Sequence, residues 1–127
     1  MGYFYTGFDY KNRKNGYFKI GETGLRYLYQ RLNTIQYTDC FQCLGYLILK
    51  NETKAERMFI ESYARLQVER QTILEHTQND HYLYRIEQGK KYEQAQGYAD
   101  LILQFAMDAC NLIGVEYEIG TKKMKRR

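Results

Sequence analysis

The pattern of apolar and polar positions changes period several times along this 127-residue chain. Tyr3-Phe4-Tyr5-Thr6 alternates with a period of two, which puts Tyr3 and Tyr5 on one face of a strand and Phe4 on the other. A polar stretch from Gly7 to Gly16 ends in the turn signal Asn15-Gly16. Tyr17-Phe18-Lys19-Ile20 resumes the alternation, so the two segments predict an antiparallel hairpin. In that hairpin Phe4, Phe18 and Ile20 face a core, while Tyr3, Tyr5, Tyr17 and Lys19 line the opposite face and point outward. Gly21-Glu22-Thr23-Gly24 reads as a loop. Thr23 is then a candidate N-cap for a helix from about Leu25 to Asn33, with Leu25, Leu28 and Leu32 as its buried stripe and Arg26 and Arg31 off it.

Phe41 to Leu49 is nearly continuously apolar without a helical period, the mark of a central strand. Asn51 or Thr53 opens the next helix, with Ala55, Phe59, Tyr63 and Leu66 expected on its inner side and Glu56 at the edge of that stripe. Glu69 to Asn79 is polar and reads as mostly irregular, and His81 to Arg85 as a short extended piece. From Lys91 to Leu112 the spacing of Tyr98, Leu101, Ile102, Phe105, Ala109 and Leu112 predicts a long helix covering one face of the domain. Gly114 ends it, and a short strand over Val115 to Glu118 leads to the tail. The expected class is α+β: a small antiparallel sheet of three main strands flanked by helices, with an extra C-terminal helix. The expected organisation is a domain over residues 1–88, the C-terminal helix packed on or extending it over 89–120, and a basic tail over 121–127.

Composition narrows the class of partner. The formal charge is +4, from 19 basic and 15 acidic residues, but Lys122, Lys123, Lys125, Arg126 and Arg127 supply five of the basic ones. The body is therefore near neutral, and the tail adds salt-sensitive attraction to phosphate or serves as a solubilising end. Tyrosine, at 14 residues, is frequent and tryptophan absent; tyrosine suits both half-buried sheets and nucleic-acid surfaces. No apolar run is long enough to span a bilayer, and the first residues lack the regions of a signal peptide. A cytoplasmic location with reduced Cys40, Cys43 and Cys110 is expected. Cys40 and Cys43 form a CxxC that could be counted with His76 and His81 as zinc ligands. The pair enters a predicted strand, where this spacing points the thiols to opposite faces, so zinc is disfavoured.

Lys19 beside tyrosines on one sheet face, with Arg31 on the following helix, is a plausible phosphate-handling surface. It is also the pattern of an ordinary half-buried strand. The order of short motifs adds a resemblance to the first reading. Tyr3-Phe4-Tyr5, Lys19-Ile20-Gly21, Arg31-Leu32 with Ile35-Gln36, Ala55-Glu56-Arg57 and Asn79-Asp80-His81-Tyr82 together resemble the GIY-YIG nuclease superfamily, in the branch frequent in phages where the second motif reads KIG. The resemblance covers roughly residues 2 to 85.

It implies a three-stranded antiparallel sheet and metal-dependent hydrolysis of DNA phosphodiester bonds by an endonuclease. By the same resemblance Tyr5 is the general base, with Tyr17 and Lys19 beside it. Free phenol, with a pKa near 10, is a poor base at neutral pH, and Lys19 is the cation that would favour the phenolate. Arg31 would clamp the phosphate. Glu56 would bind one magnesium (or manganese) ion, which prefers hard oxygen ligands. Glu61 is the rival ligand; it lies five residues on, about 140° round the helix, so the two cannot serve in the same way. Many relatives carry a histidine on the glutamate helix where this chain has Ile60 or Ser62, which leaves Tyr17, His81 or water for proton transfer. The partner implied is DNA. The C-terminal helix falls outside the resemblance; a rival reading is an interaction protein that uses the helix from Lys91 to Leu112 to form a homodimer or to bind another protein. The alternative is a catalytically inactive module of the same fold that binds nucleic acid or protein.

Overall fold

A computed structural model describes residues 2–9, 17–32, 41–71, 75–76, 83–85, 95–120 and 124–125. In chain order the elements are β1 (Gly2–Asp9), β2 (Tyr17–Thr23), α1 (Leu28–Leu32), β3 (Phe41–Lys50), α2 (Lys54–Arg70), β4 (Glu75–His76), β5 (Leu83–Arg85), α3 (Ala95–Ile113), β6 (Glu116–Ile119) and β7 (Met124–Lys125). The expected Asn15-Gly16 turn, Ile35-Gln36, Cys40, Asn79 to Tyr82 and the start of the C-terminal helix at Lys91 lie outside the described residues.

The class is α+β, with an antiparallel sheet flanked by helices, as expected. The strand order is β4-β5-β2-β1-β3-β6, and β7 also pairs with β3. The three long strands form its centre. Tyr5 pairs with Gly21 on one side and Tyr46 on the other, and Phe4 with Glu22 and Leu47. β2 runs on to Thr23, so most of the expected loop at 21–24 is strand.

Both faces of the sheet are covered, by unequal amounts of protein. Phe4, Phe8, Phe18, Ile20, Leu47 and Leu49 pack with α2 and α3 in the larger core. Thr6 is on that face too, and its hydroxyl donates to the Lys19 carbonyl at 3.0 Å, which satisfies a polar group that is out of reach of water. The opposite face holds Tyr3, Tyr5, Phe41, Cys43, Tyr46 and Ile48 under Leu28 and Leu32 of α1. The hairpin faces thus divide as the alternation predicts, but the tyrosine face does not point outward. Tyrosine has enough apolar area to accept a cover, and α1, only five residues long, supplies it.

α1 starts later than expected. The Thr23 hydroxyl accepts the Leu25 N–H at 3.2 Å, but the helix begins at Leu28, and Leu25 is exposed rather than part of the stripe. In α2 the buried residues are Ile60, Ala64 and Val68, at strict i, i+4 spacing. Ala55, Phe59 and Leu66, expected inside, are exposed, while Tyr63 packs at the border of the core. α2 also extends through Glu69 and Arg70, where irregular chain was expected, and Glu75–His76 pairs with β5. α3 buries Ile102, Phe105 and Ala109 as expected, but Leu101 and Leu112 are exposed, and Ala95, Ala99, Leu103, Ala106 and Cys110 complete its inner face. It ends at Gly114, whose φ of 74° favours glycine, with the Val115 N–H bonded back to the Cys110 carbonyl at 3.0 Å. Among the described residues no helix is long and apolar enough to cross a membrane.

Strand β3 carries one extra residue against β1. Its register shifts between Thr6 and Gly7, which pair with Gly45 and Cys43 and leave Leu44 unpaired. This bulge sends Leu44 to the helical core while Cys43 and Tyr46 both face α1.

Candidate active site

The hairpin brings Tyr5 and the Lys19-Ile20-Gly21 segment together by register. Gly21 pairs directly with Tyr5, and a Cβ on Gly21 would stand 2.5 Å from the Tyr5 hydroxyl oxygen and 2.6 Å from Cζ. The phenol therefore lies over the bare backbone of Gly21, a close approach that only glycine permits. Gly21→Ala is expected to destabilise the fold by roughly 1–3 kcal/mol through overpacking. Gly97→Ala is the control: nothing lies within 4 Å of its added Cβ, and it sits inside α3, so it should be neutral or stabilising by up to about 1 kcal/mol. Urea unfolding of the two variants separates these outcomes.

Tyr5 is 1 % exposed, and its hydroxyl is hydrogen-bonded within the α1 cover. Arg31 Nε donates to it at 3.3 Å from the last turn of α1. Leu28 and Leu32 anchor that helix to the sheet, so burial of two leucines, worth roughly 1.5–3 kcal/mol each, fixes where Arg31 points. Lys19, two residues before Gly21, shares this face and is 8 % exposed. The Tyr17 backbone pairs with Asp9 and Arg85 at the far end of β2.

The two candidate carboxylates of α2 have different surroundings. Glu56 closes a capping box: the Thr53 hydroxyl accepts the Glu56 N–H at 3.2 Å, and Glu56 Oε1 accepts the Thr53 N–H at 2.9 Å. Its carboxylate thus holds the start of α2. The pattern Thr53-x-x-Glu56 is itself a helix-start signature and could have identified this role from the sequence.

Glu61 instead reaches the open edge of β2. Of the described strands, β5 pairs only with Tyr17 to Lys19 on that edge, and the Glu22 N–H beyond it donates to the Glu61 carboxylate. The Glu61 side chain is 14 % exposed, with Arg65 Nε 3.6 Å from its Oε1. Burial pushes its carboxyl pKa up to about 7; the Glu22 charge raises it further, while Arg65, Arg31 and the Glu22 N–H partly offset the rise. Arg31 thus acts on both Tyr5 and Glu61. A largely buried carboxyl raised toward neutral pH beside arginines is found at catalytic sites more often than elsewhere.

No family model, curated protein or solved structure matches this chain.

One turn before Glu61, Arg57 fixes the position of α2 against the sheet. Its Nε donates to Glu22 Oε2 at 3.1 Å and its Nη1 to Glu52 Oε1 at 2.9 Å. Gly24 leaves room for this guanidinium, since a Cβ there would stand 2.6 Å from Arg57 Nη2. Glu22 therefore links Arg57 through its side chain and Glu61 through its backbone. Neither Glu22 nor Arg65 was singled out from the sequence; an acidic residue directly after the Lys19-Ile20-Gly21 segment, and an arginine at i+4 from Glu61, are the signals that mark them.

Among the described residues no three histidine, cysteine, aspartate or glutamate side chains cluster into a metal cage. A metal at this site would have Glu61 as its one protein carboxylate ligand among the described residues. Such a set suits magnesium, which is often held by one or two carboxylates with water and substrate phosphate as its other ligands. Soft ligands are absent from this group. Cys43 is buried under α1, where burial pushes its thiol up to about 12 and makes it inert, and Cys110 is raised to about 11 within the other core.

Proposed function

We propose that this chain is a metal-dependent endonuclease of the GIY-YIG type, hydrolysing phosphodiester bonds in DNA. The observation that carries the reading is the 3.3 Å hydrogen bond from Arg31 Nε to the Tyr5 hydroxyl, made across the sheet face where the Tyr3-Phe4-Tyr5 and Lys19-Ile20-Gly21 segments meet in register. Tyr5 and Arg31 meet on that face, and Glu61, at the edge of β2, lies within the electrostatic reach of Arg31. Their chemistry matches the needs of the reaction: a proton acceptor, a phosphate clamp and an oxygen ligand for a hard cation.

In this reading Tyr5, as phenolate, takes a proton from the attacking water. The Arg31 guanidinium stabilises negative charge on the Tyr5 oxygen and clamps the phosphate oxygens. Lys19 contributes a second buried positive charge on the same sheet face. The new P–O bond forms as the bond to the 3′-oxygen breaks, and that oxygen takes up a proton from solvent. Magnesium or manganese, held by Glu61, would supply Lewis-acid stabilisation of the charge that develops on phosphate. We assign the metal to Glu61 rather than Glu56 because the Glu56 carboxylate is already engaged at the start of α2.

The test is incubation of supercoiled plasmid with the purified protein in magnesium, in manganese and in chelator, beside Tyr5→Phe. Metal-dependent nicking or linearisation that disappears in a folded Tyr5→Phe protein is the expected result. Cleavage that survives the substitution removes Tyr5 from the proton-acceptor role. A folded wild-type protein that cuts neither plasmid nor single strands overturns the enzyme reading and leaves a binding module.

A further inference from the structure

The turn into α1 carries aromatic side chains that the core does not use. Tyr27 is 43 % exposed and Tyr29 39 % exposed, while Leu28 between them is fully buried. Their rings are stacked, with centroids 5.5 Å apart and planes inclined by 16°. The Arg26 guanidinium extends the stack, its central carbon 5.2 Å from the centre of the Tyr27 ring.

The segment that presents these rings is pinned at three points. The Tyr3 hydroxyl donates to the Arg26 carbonyl at 3.0 Å. The Leu25 N–H donates to the Thr23 hydroxyl at 3.2 Å, and the Tyr27 N–H to Gln30 Oε1 at 3.3 Å. Tyr3 stands two residues from Tyr5 on β1, so one strand positions both the stack and the phenol. Tyr27 precedes Arg31 by four residues, about one helical turn. Within the described stretch 17–32 the charged residues are Lys19, Arg26 and Arg31 against Glu22.

We propose that Tyr27, Tyr29 and Arg26 form a stacking platform for an unpaired nucleobase beside the phosphate held by Arg31, so that single-stranded or locally unpaired DNA is the preferred ligand. This rests on the phosphodiester reading of the Tyr5–Arg31 site. Inside a duplex both faces of a base are covered by its neighbours, and only a base out of the stack can use a protein ring. Stacking is tolerant of sequence because every base has a π-face, and an arginine beside the rings adds attraction to the adjoining phosphates.

The test is binding in chelator, by fluorescence anisotropy, to three labelled probes: a mixed-sequence single strand, the same strand with abasic sites, and the blunt duplex. The full chain is compared with the double variants Tyr27→Ala/Tyr29→Ala and Tyr27→Phe/Tyr29→Phe. Wild type is expected to prefer the base-containing single strand. The alanine pair should lose about tenfold or more on that probe, with changes of about twofold or less on the other two, and the phenylalanine pair should keep wild-type affinity. Equal binding of wild type to base-containing and abasic strands, or no loss in the alanine pair, overturns the proposal. So does a wild-type protein that binds none of the probes. Plasmid cleavage, measured separately in magnesium, reads the nuclease assignment alone: cutting without base discrimination removes only the platform, and base discrimination without cutting removes only the chemistry.

Discussion

Glu61→Gln is expected to abolish cleavage and to make the folded protein more stable at pH 8. The first effect follows from loss of the proposed metal ligand. Lewis-acid stabilisation of phosphoryl charge is worth several kcal/mol, so activity should fall by about 100-fold or more. The second follows from burial, which raises the Glu61 carboxyl from 4.5 to about 7. Below pH 4.5 the group is protonated in both folded and unfolded chains and contributes nothing. As pH rises toward 7 the unfolded chain ionises first, so wild-type stability declines through that window and stays lower above it. Glutamine mimics the protonated acid at every pH and escapes this decline. Thermal melts should show little difference between variant and wild type at pH 4, and a gain for the variant on the order of 1–3 kcal/mol at pH 8. Magnesium should recover part of the wild-type deficit at pH 8 by favouring the ionised carboxylate, with no such effect on Glu61→Gln. Glu56→Gln should behave differently, remaining active but losing about 1 kcal/mol with its cap. If instead Glu56→Gln is inactive and Glu61→Gln is not, the metal belongs to Glu56.

Arg31→Ala should cost about 10²–10³-fold in cleavage rate, the range seen when one preorganised donor to developing charge is removed. Two contacts are lost together, the donor to the Tyr5 oxygen and the positive charge facing Glu61. Arg31→Lys is the informative companion. It keeps the charge but loses the planar fork that contacts phenol and phosphate at once. Activity between those of alanine and wild type is expected from lysine, with the Glu61 carboxyl shifted less than in the alanine variant. A carbon-13 NMR titration of that carboxyl in the three proteins, alongside single-turnover cleavage, checks both parts. Full activity in Arg31→Ala would remove Arg31 from the site.

The hairpin and the long C-terminal helix were legible from their periods, and the central strand from its near-continuous apolar run. Phe4, Phe18 and Ile20 face one way, and Tyr3, Tyr5 and Lys19 the other, as alternation requires. Alternation separates two faces without saying which is covered. Tyrosine is compatible with either environment, so the tyrosine face was read as outward when two leucines of α1 bury it. In α2 two stripes competed. Ala55, Phe59, Tyr63 and Leu66 carry more apolar bulk than Ile60, Ala64 and Val68, yet the second stripe is the buried one. Ala64 is the position against which another element can pack closely, a property that bulk alone does not report. Motif order singled out Tyr5 and Arg31, and the structure brings the two side chains within hydrogen-bonding distance. The surroundings of Glu61 depend on contact between α2 and the β2 edge, which no local pattern encodes.

The bulge at Leu44 ties the length of β3 to its two-sided role in a way that bears on how such a chain tolerates insertions and deletions. On its C-terminal side Tyr46 and Ile48 face α1; on its N-terminal side Phe41 and Cys43 do, one step out of phase with simple alternation. Loss of Leu44 removes the unpaired residue and leaves both phases intact. Loss of Leu47 forces one half of the strand to turn over, exchanging residues between the large core and the α1 cover. This chain should therefore tolerate deletion of a residue from β3 at the bulge far more readily than at Leu47, although both positions lie in the same apolar run.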